Sequence, residues 1–92
     1  MDYIVSQSYL QRRREIKWNQ QQTVETHHQL ELYQDRIETA AGQFYIHDVF
    51  DVSCRFITEG FGFLYLHTNR GVFPYQVESY PGEFIDAYKR LK

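Results

Sequence analysis

Cysteine is almost missing from this sequence. Cys54 is the only one in 92 residues, so no intrachain disulfide forms and no thiolate cage for zinc or iron-sulfur assembles. An excess of one charge is missing too, with Lys+Arg 10 against Asp+Glu 12. A field so nearly neutral neither draws nucleic acid nor favours an anionic membrane, and any anion site has to be local. No stretch approaches the roughly 18 consecutive apolar residues that cross a bilayer, and no charged leader precedes an apolar run. Internal repeats and low-complexity tracts are absent as well. The expectation is a cytoplasmic protein with neither metal nor cofactor. At this length it forms one domain spanning residues 1–92, because such a chain buries only roughly 60–65% of its unfolded surface and cannot fill a second core.

What is present in quantity is aromatic: 17% of residues, including 8 Tyr and 7 Phe. These side chains prefer the pleated surface of sheets and the centres of interfaces. From residue 29 onward the chain shows short period-two runs broken by turn residues, the pattern of an antiparallel sheet. Leu30 and Leu32 alternate with Glu31 and Tyr33, Gln34-Asp35 turns the chain, and Arg36 to Thr39 returns with Ile37 inward. Ala40-Ala41-Gly42 makes the next turn, and Gln43 to Ile46 a short strand. The VFDVSCRF run has the cleanest alternation, which places Phe50, Val52, Cys54 and Phe56 inward and Asp51, Ser53 and Arg55 outward.

The stretch FGFLYLHTNRGVFPYQV forms a hairpin with strands over about 61–68 and 72–77, hinged at Gly71. Two registers fit. With Gly71 left-handed after an Asn69-Arg70 turn, Thr68 faces Val72, Tyr65 lies beside Tyr75 and His67 beside Phe73. With Thr68 opposite Gly71, Leu64 and Leu66 share a face with Phe73 and Tyr75. In either case bulky groups remain on the second face, either Phe63 and Tyr65 or Leu64 and Leu66. Residues 1–10, with Tyr3, Ile4, Val5, Tyr9 and Leu10, would cover that face by folding back, or else it meets a partner.

Pro81 suits a helical first turn and Glu83 favours the positive end of its dipole. Phe84, Ala87, Tyr88 and Leu91 then form one apolar stripe on a helix over about 81–91. Gly82 weakens its start, and Lys89, Arg90 and Lys92 complement its carboxyl end. In the first 28 residues Ile4, Val5, Tyr9 and Ile16 fit a loose helical stripe while Ile16, Trp18 and Val24 fit an even-numbered strand face; strands over about 9–18 and 22–33 are the favoured reading, with the turn at Asn19-Gln20-Gln21-Gln22.

The segments LELYQDRIE, YIHDVFDVS, GFLYLHTNRGVFPYQV and PGEFIDAYKRL follow, in that order, the plan of the pleckstrin-homology (PH) superfold in small bacterial PH-like proteins, which the chain resembles from about residue 29 to 91. The resemblance implies a mainly β, α+β fold: about seven antiparallel strands in two near-orthogonal sheets forming a barrel. A C-terminal helix would plug one end, with Phe84, Tyr88 and Leu91 pointing in. It also directs attention to the loop between the first two strands, where phosphoinositide-binding members carry cations. Here that loop, Asn19 to Thr23, has none.

Arg12, Arg13, Arg14 and Lys17 nearby form a candidate anion or anionic-lipid site. On a strand, however, Arg13 points away from its neighbours, and a solvated edge strand whose charge discourages pairing is the favoured account of the run. Catalysis is not expected. Cys54 is in phase with an apolar set, where its thiol is inert, although His67 or His47 would be its dyad partner if it were not. His27 and His28 face opposite sides of a strand, and His47, Asp48 and Asp51 match no zinc spacing. Nucleic acid would need a basic face interleaved with the aromatics, and there is none. The expected function is a non-catalytic PH-like module that binds a protein partner or another copy of itself through Phe63, Tyr65, His67 and Val72; a membrane surface is the weaker alternative.

Overall fold

The computed structural model describes residues 3–92. Two long strands, β1 (Val5–Lys17) and β2 (Gln20–Leu32), pair without interruption from Val5↔Leu32 to Lys17↔Gln20. Their turn is Trp18-Asn19, both residues at positive φ, 52° and 62°. That left-handed pair closes a two-residue hairpin whose twist matches the strands it joins. The turn expected over Asn19 to Gln22 is therefore wrong. Two residues suffice to reverse the chain, and the glutamines belong to β2. β1 likewise begins at Val5 rather than near residue 9, because Ile4 N–H and the residues after it already pair with β2.

Short strands β3 (Arg36–Thr39) and β4 (Gly42–Tyr45) follow, and a 3-10 turn over Ile46–Asp48 leads into β5 (Val49–Thr58), β6 (Phe61–Thr68) and β7 (Gly71–Val77). The helix α1 (Gly82–Leu91) comes last. All seven strands form one antiparallel sheet in the order β4-β3-β2-β1-β7-β6-β5. Two separate sheets are not seen, because the Leu10↔Gln76 pair joins β1 to β7 and carries the ladder across. Beyond that pair β1 and β7 diverge, and the outer part of the β1–β2 hairpin stands away from the body as an arm. The extents are 49 × 28 × 26 Å, and the radius of gyration of 14.4 Å exceeds the roughly 12 Å usual for this length.

One face of the sheet is buried against α1. Leu30, Leu32, Ile37, Val49, Leu64, Leu66 and Val77 are fully enclosed, each contributing roughly 1.5–3 kcal/mol by leaving water. Phe84, Ile85, Ala87 and Tyr88 meet them from the helix, and Leu91 packs at the margin. Tyr9 reaches the same core from β1, edge-on to Tyr75 with ring centroids 4.9 Å apart, and its hydroxyl accepts the Ala40 N–H at 3.1 Å.

The alternation in β5 is interrupted at its first turn of phase. Phe50, expected inward, is 66% exposed, and Val49 fills the inner position. Val49 pairs with Thr68 while Asp51 pairs with His67, so Phe50 is the extra residue of a bulge and everything before it is out of step. Val52 is buried as expected, and Cys54 and Phe56 pack against the core while partly exposed. In the next hairpin Thr68 pairs with Gly71, which puts Leu64 and Leu66 with Tyr75 and Phe73 on the inner face. Thr68 holds this register: its hydroxyl accepts the Arg70 N–H at 3.1 Å and donates to the Gly71 carbonyl at 2.9 Å. Gly71 has φ of 119°, which a residue with a Cβ avoids.

Candidate functional site

Strict alternation along β6 gives its two faces different fates. Gly62, Leu64, Leu66 and Thr68 are buried, while Phe61, Phe63, Tyr65 and His67 lie half-buried on the outer face. Consecutive ring centroids on that face are 5.4, 6.2 and 6.4 Å apart, an unbroken aromatic ladder along the strand. Cross-strand neighbours frame it. Arg55, Ser53 and Asp51 of β5 stand opposite Phe63, Tyr65 and His67 on one side, and Gln76, Pro74 and Val72 of β7 on the other. Val72 is 56% exposed and Ile57 58%, so apolar area continues to the margins.

The N-terminal segment does not cover this face. Residues 5–10 are committed to β1, with Val5 opposite Leu32 and Tyr9 in the core; Tyr3 and Ile4 are exposed beside the end of β2; residues 1–2 lie outside the described residues. The helix occupies the opposite face. Phe63, Tyr65, His67 and Val72, the expected partner-binding set, are thus brought together. Phe61, Pro74 and Ile57 belong with them and were missed, although Phe61 shares the odd-numbered phase that marked Phe63 and Tyr65.

The arginines fare differently. Paired strands place Arg12 and Arg14 on one face of the arm, opposite Glu25 and Thr23, and Arg13 and Lys17 on the other, opposite Val24 and Gln20. Arg12 lies 3.7 Å from Glu25, and Arg13 lies 3.0 Å from Glu15. Such exposed pairs are worth only about 0–1 kcal/mol, yet they partly cancel the charge offered to an anion. All three arginines border one shallow, open depression with Thr23, but no buried polar group faces it. At the end of the arm Trp18 is 95% exposed.

Cys54 and His67 are not brought together as a dyad. Cys54 pairs with Leu64 on the inner side of β5, and burial raises its thiol pKa, which keeps it protonated and unreactive near neutrality. His67 projects from the outer face, so the sheet separates the two. Its Nε2 lies 2.8 Å from Ser53 Oγ, but among the described residues no carboxylate pairs with the ring: Asp51 stands opposite in the ladder without an ion pair to it. A serine is activated when a third group orients its base, and here that group is absent. His47 is solvent-exposed and stacks on Tyr45 at 5.9 Å. No cluster of metal-ligating side chains occurs among the described residues, nor any helix long and apolar enough to cross a membrane. Comparison with protein-family models, with curated proteins and with solved structures gives no match to this chain.

Proposed function

We propose that the chain is a non-catalytic protein-interaction module whose contact surface is the outer face of β5, β6 and β7. The observation that carries this is the ladder Phe61–Phe63–Tyr65–His67, half-exposed, flanked by exposed Val72 and Ile57, and crossed by no other described element. Aromatic side chains supply large contact areas at low entropic cost and are enriched where interfaces gain most of their energy. The ladder neighbours of this face include one cation, Arg55, and one anion, Asp51, too little charge for nucleic acid. Strand order supports a PH-like classification: β1 to β4 are successive neighbours, β7 to β5 continue from the far side of β1, and a single helix lines the inner face. A cytoplasmic setting suits the lone unpaired thiol of Cys54.

Photo-cross-linking from benzoylphenylalanine placed at Val72, in cells that express the chain, tests the assignment. Protein adducts are expected there, and they disappear when Phe63→Ser and Tyr65→Ser are added. Adducts no more frequent at Val72 than at Trp18, or unaffected by the two serines, refute it. Anionic-lipid binding through Arg12, Arg13, Arg14 and Lys17 is the weaker reading because the strand divides those side chains between two faces. It is removed if phosphatidylserine vesicles fail to sediment the protein even at low salt, where phosphate contacts are strongest.

A further inference from the structure

β5 ends the sheet. Its one ladder is to β6, and outside that ladder the β5 backbone groups with a partner among the described residues are both on Val49: its N–H donates to the Ile46 carbonyl and its carbonyl accepts the Tyr88 hydroxyl. The opposite end of the sheet is β4, with 4 residues, whereas β5 has 10. A long edge with unmet N–H and C=O groups is a template for another strand.

Charges on an edge usually guard it against such pairing. On β5 they are arranged to do the reverse. Asp51 and Arg55 are both exposed on the outer face, two positions either side of Ser53, and neither makes an ion pair among the described residues. The regular run of the strand lies between its two bulges, from Asp51 to Phe56. An antiparallel strand pair sets residues of the same face opposite each other, so a second copy of β5 related by a two-fold axis must centre on a residue. An axis at Val52 sets Asp51 against Ser53, and one at Cys54 sets Arg55 against Ser53, leaving like or unmatched groups in both. Only an axis at Ser53 sets each Asp51 against an Arg55, with Val52 facing Cys54 on the core side.

We infer that two copies of the chain associate through β5, antiparallel about a two-fold axis at Ser53, with Asp51 of each copy paired to Arg55 of the other. The sheet then runs on from β6 through β5 of one copy to β5 and β6 of the next. With strands about 4.8 Å apart, the two aromatic ladders lie about 14 Å from each other on one continuous face. This pairing uses the edge of the sheet rather than its face, so its failure leaves the function proposed above standing, and the converse holds too.

Sedimentation equilibrium up to about 1 mM, a range suited to weak association, tests it. The natural chain is expected to dimerise. Asp51→Arg or Arg55→Asp places like charges across the axis twice and weakens association by at least about tenfold. The double exchange restores it, and so does mixing the two single variants, since one then carries both cations and the other both anions. As a check that does not depend on those variants folding, Ser53→Cys in a Cys54→Ser background forms a disulfide-linked dimer on mild oxidation, whereas Arg55→Cys in the same background does not. A natural chain that stays monomeric throughout the range overturns the inference. So does a dimer indifferent to the charge exchanges, or equal cross-linking at both positions.

Discussion

Replacing Tyr88 by Phe isolates one buried contact between α1 and β5. The hydroxyl donates to the Val49 carbonyl at 2.7 Å, with Tyr88 2% exposed and Val49 fully enclosed. Phe keeps the ring and leaves no sizeable cavity, so the change strands the carbonyl without its donor. An orphaned buried acceptor costs about 1–3 kcal/mol, and each kcal/mol lowers Tm by roughly 4–8 °C in a domain of this size. Alkali supplies a second, sharper signature. Burial, with the Asp51 carboxylate adding to it, raises the Tyr88 pKa above its ordinary 10.0, which means that the folded state favours the protonated ring. Its contribution is complete below the unfolded value of about 10 and is lost as pH rises through the higher folded one. Tyr75 is raised as well, by burial and by Tyr9 beside it, so both proteins weaken in alkali and only their difference reports on Tyr88. Urea midpoints followed by far-ultraviolet circular dichroism are the assay. The natural chain is expected to be the more stable at neutral pH, with the gap closing above about pH 10. Equal stability at neutral pH, or a gap that persists unchanged into alkali, refutes the assignment.

The bulge in β5 predicts an inversion of ordinary expectation: Val49→Ala costs roughly 1–3 kcal/mol, while Phe50→Ser, which removes a much larger side chain, stays within about 0.5 kcal/mol. Chemical denaturation of both variants checks it, and a larger loss for Phe50→Ser shows that the phase of β5 is misplaced. At the end of the arm, Trp18→Asn with Asn19→Gly matches the left-handed turn and raises stability by about 1 kcal/mol. Thermal melting measures that gain, and a loss would mean that the turn is not the two-residue one.

Much of the fold is legible because alternation and turn chemistry are local. The hairpin from Leu30 to Thr39, the helix after Pro81 and the inward Val52 all rest on residues within one or two strands of each other. The position of the β5 bulge does not. It depends on how the 3-10 turn is hooked to the tip of the next hairpin, where Asn69 N–H donates to the Asp48 carbonyl at 3.1 Å and the Asn69 amide reaches Asp48 Oδ1 at 3.3 Å. No period within VFDVSCRF reveals a contact made from that far along the chain. The Trp18-Asn19 turn is hidden for a different reason: a large aromatic is an unusual occupant of a left-handed position, and the polar glutamines beside it carry the more familiar turn composition. At Gly71 the local chemistry admits two registers, and the burial of Leu64 and Leu66 under α1 selects between them.

The candidate site is decided by a single geometric rule applied to three different clusters. Because successive side chains on a strand point to opposite faces, residues adjacent in sequence are separated in space and residues two apart are brought together. Applied to Phe61, Phe63, Tyr65 and His67, the rule assembles a surface. For Arg12, Arg13 and Arg14 it disperses one, and the acidic neighbours Glu25 and Glu15 then take up two of the three cations. Cys54 and His67 sit on adjacent strands, yet the same rule sets them on opposite faces of the sheet, so a thiolate dyad would require the strand to shift by one residue. Such a slip of β6 would expose Leu64 and Leu66 together, at roughly 1.5–3 kcal/mol for each. That cost approaches the lower end of the stability of a small domain, about 5–15 kcal/mol in general. The core that fixes the register of β5 and β6 therefore also fixes what the outer face presents: aromatic area, the Ser53–His67 contact and one unlike pair of charges.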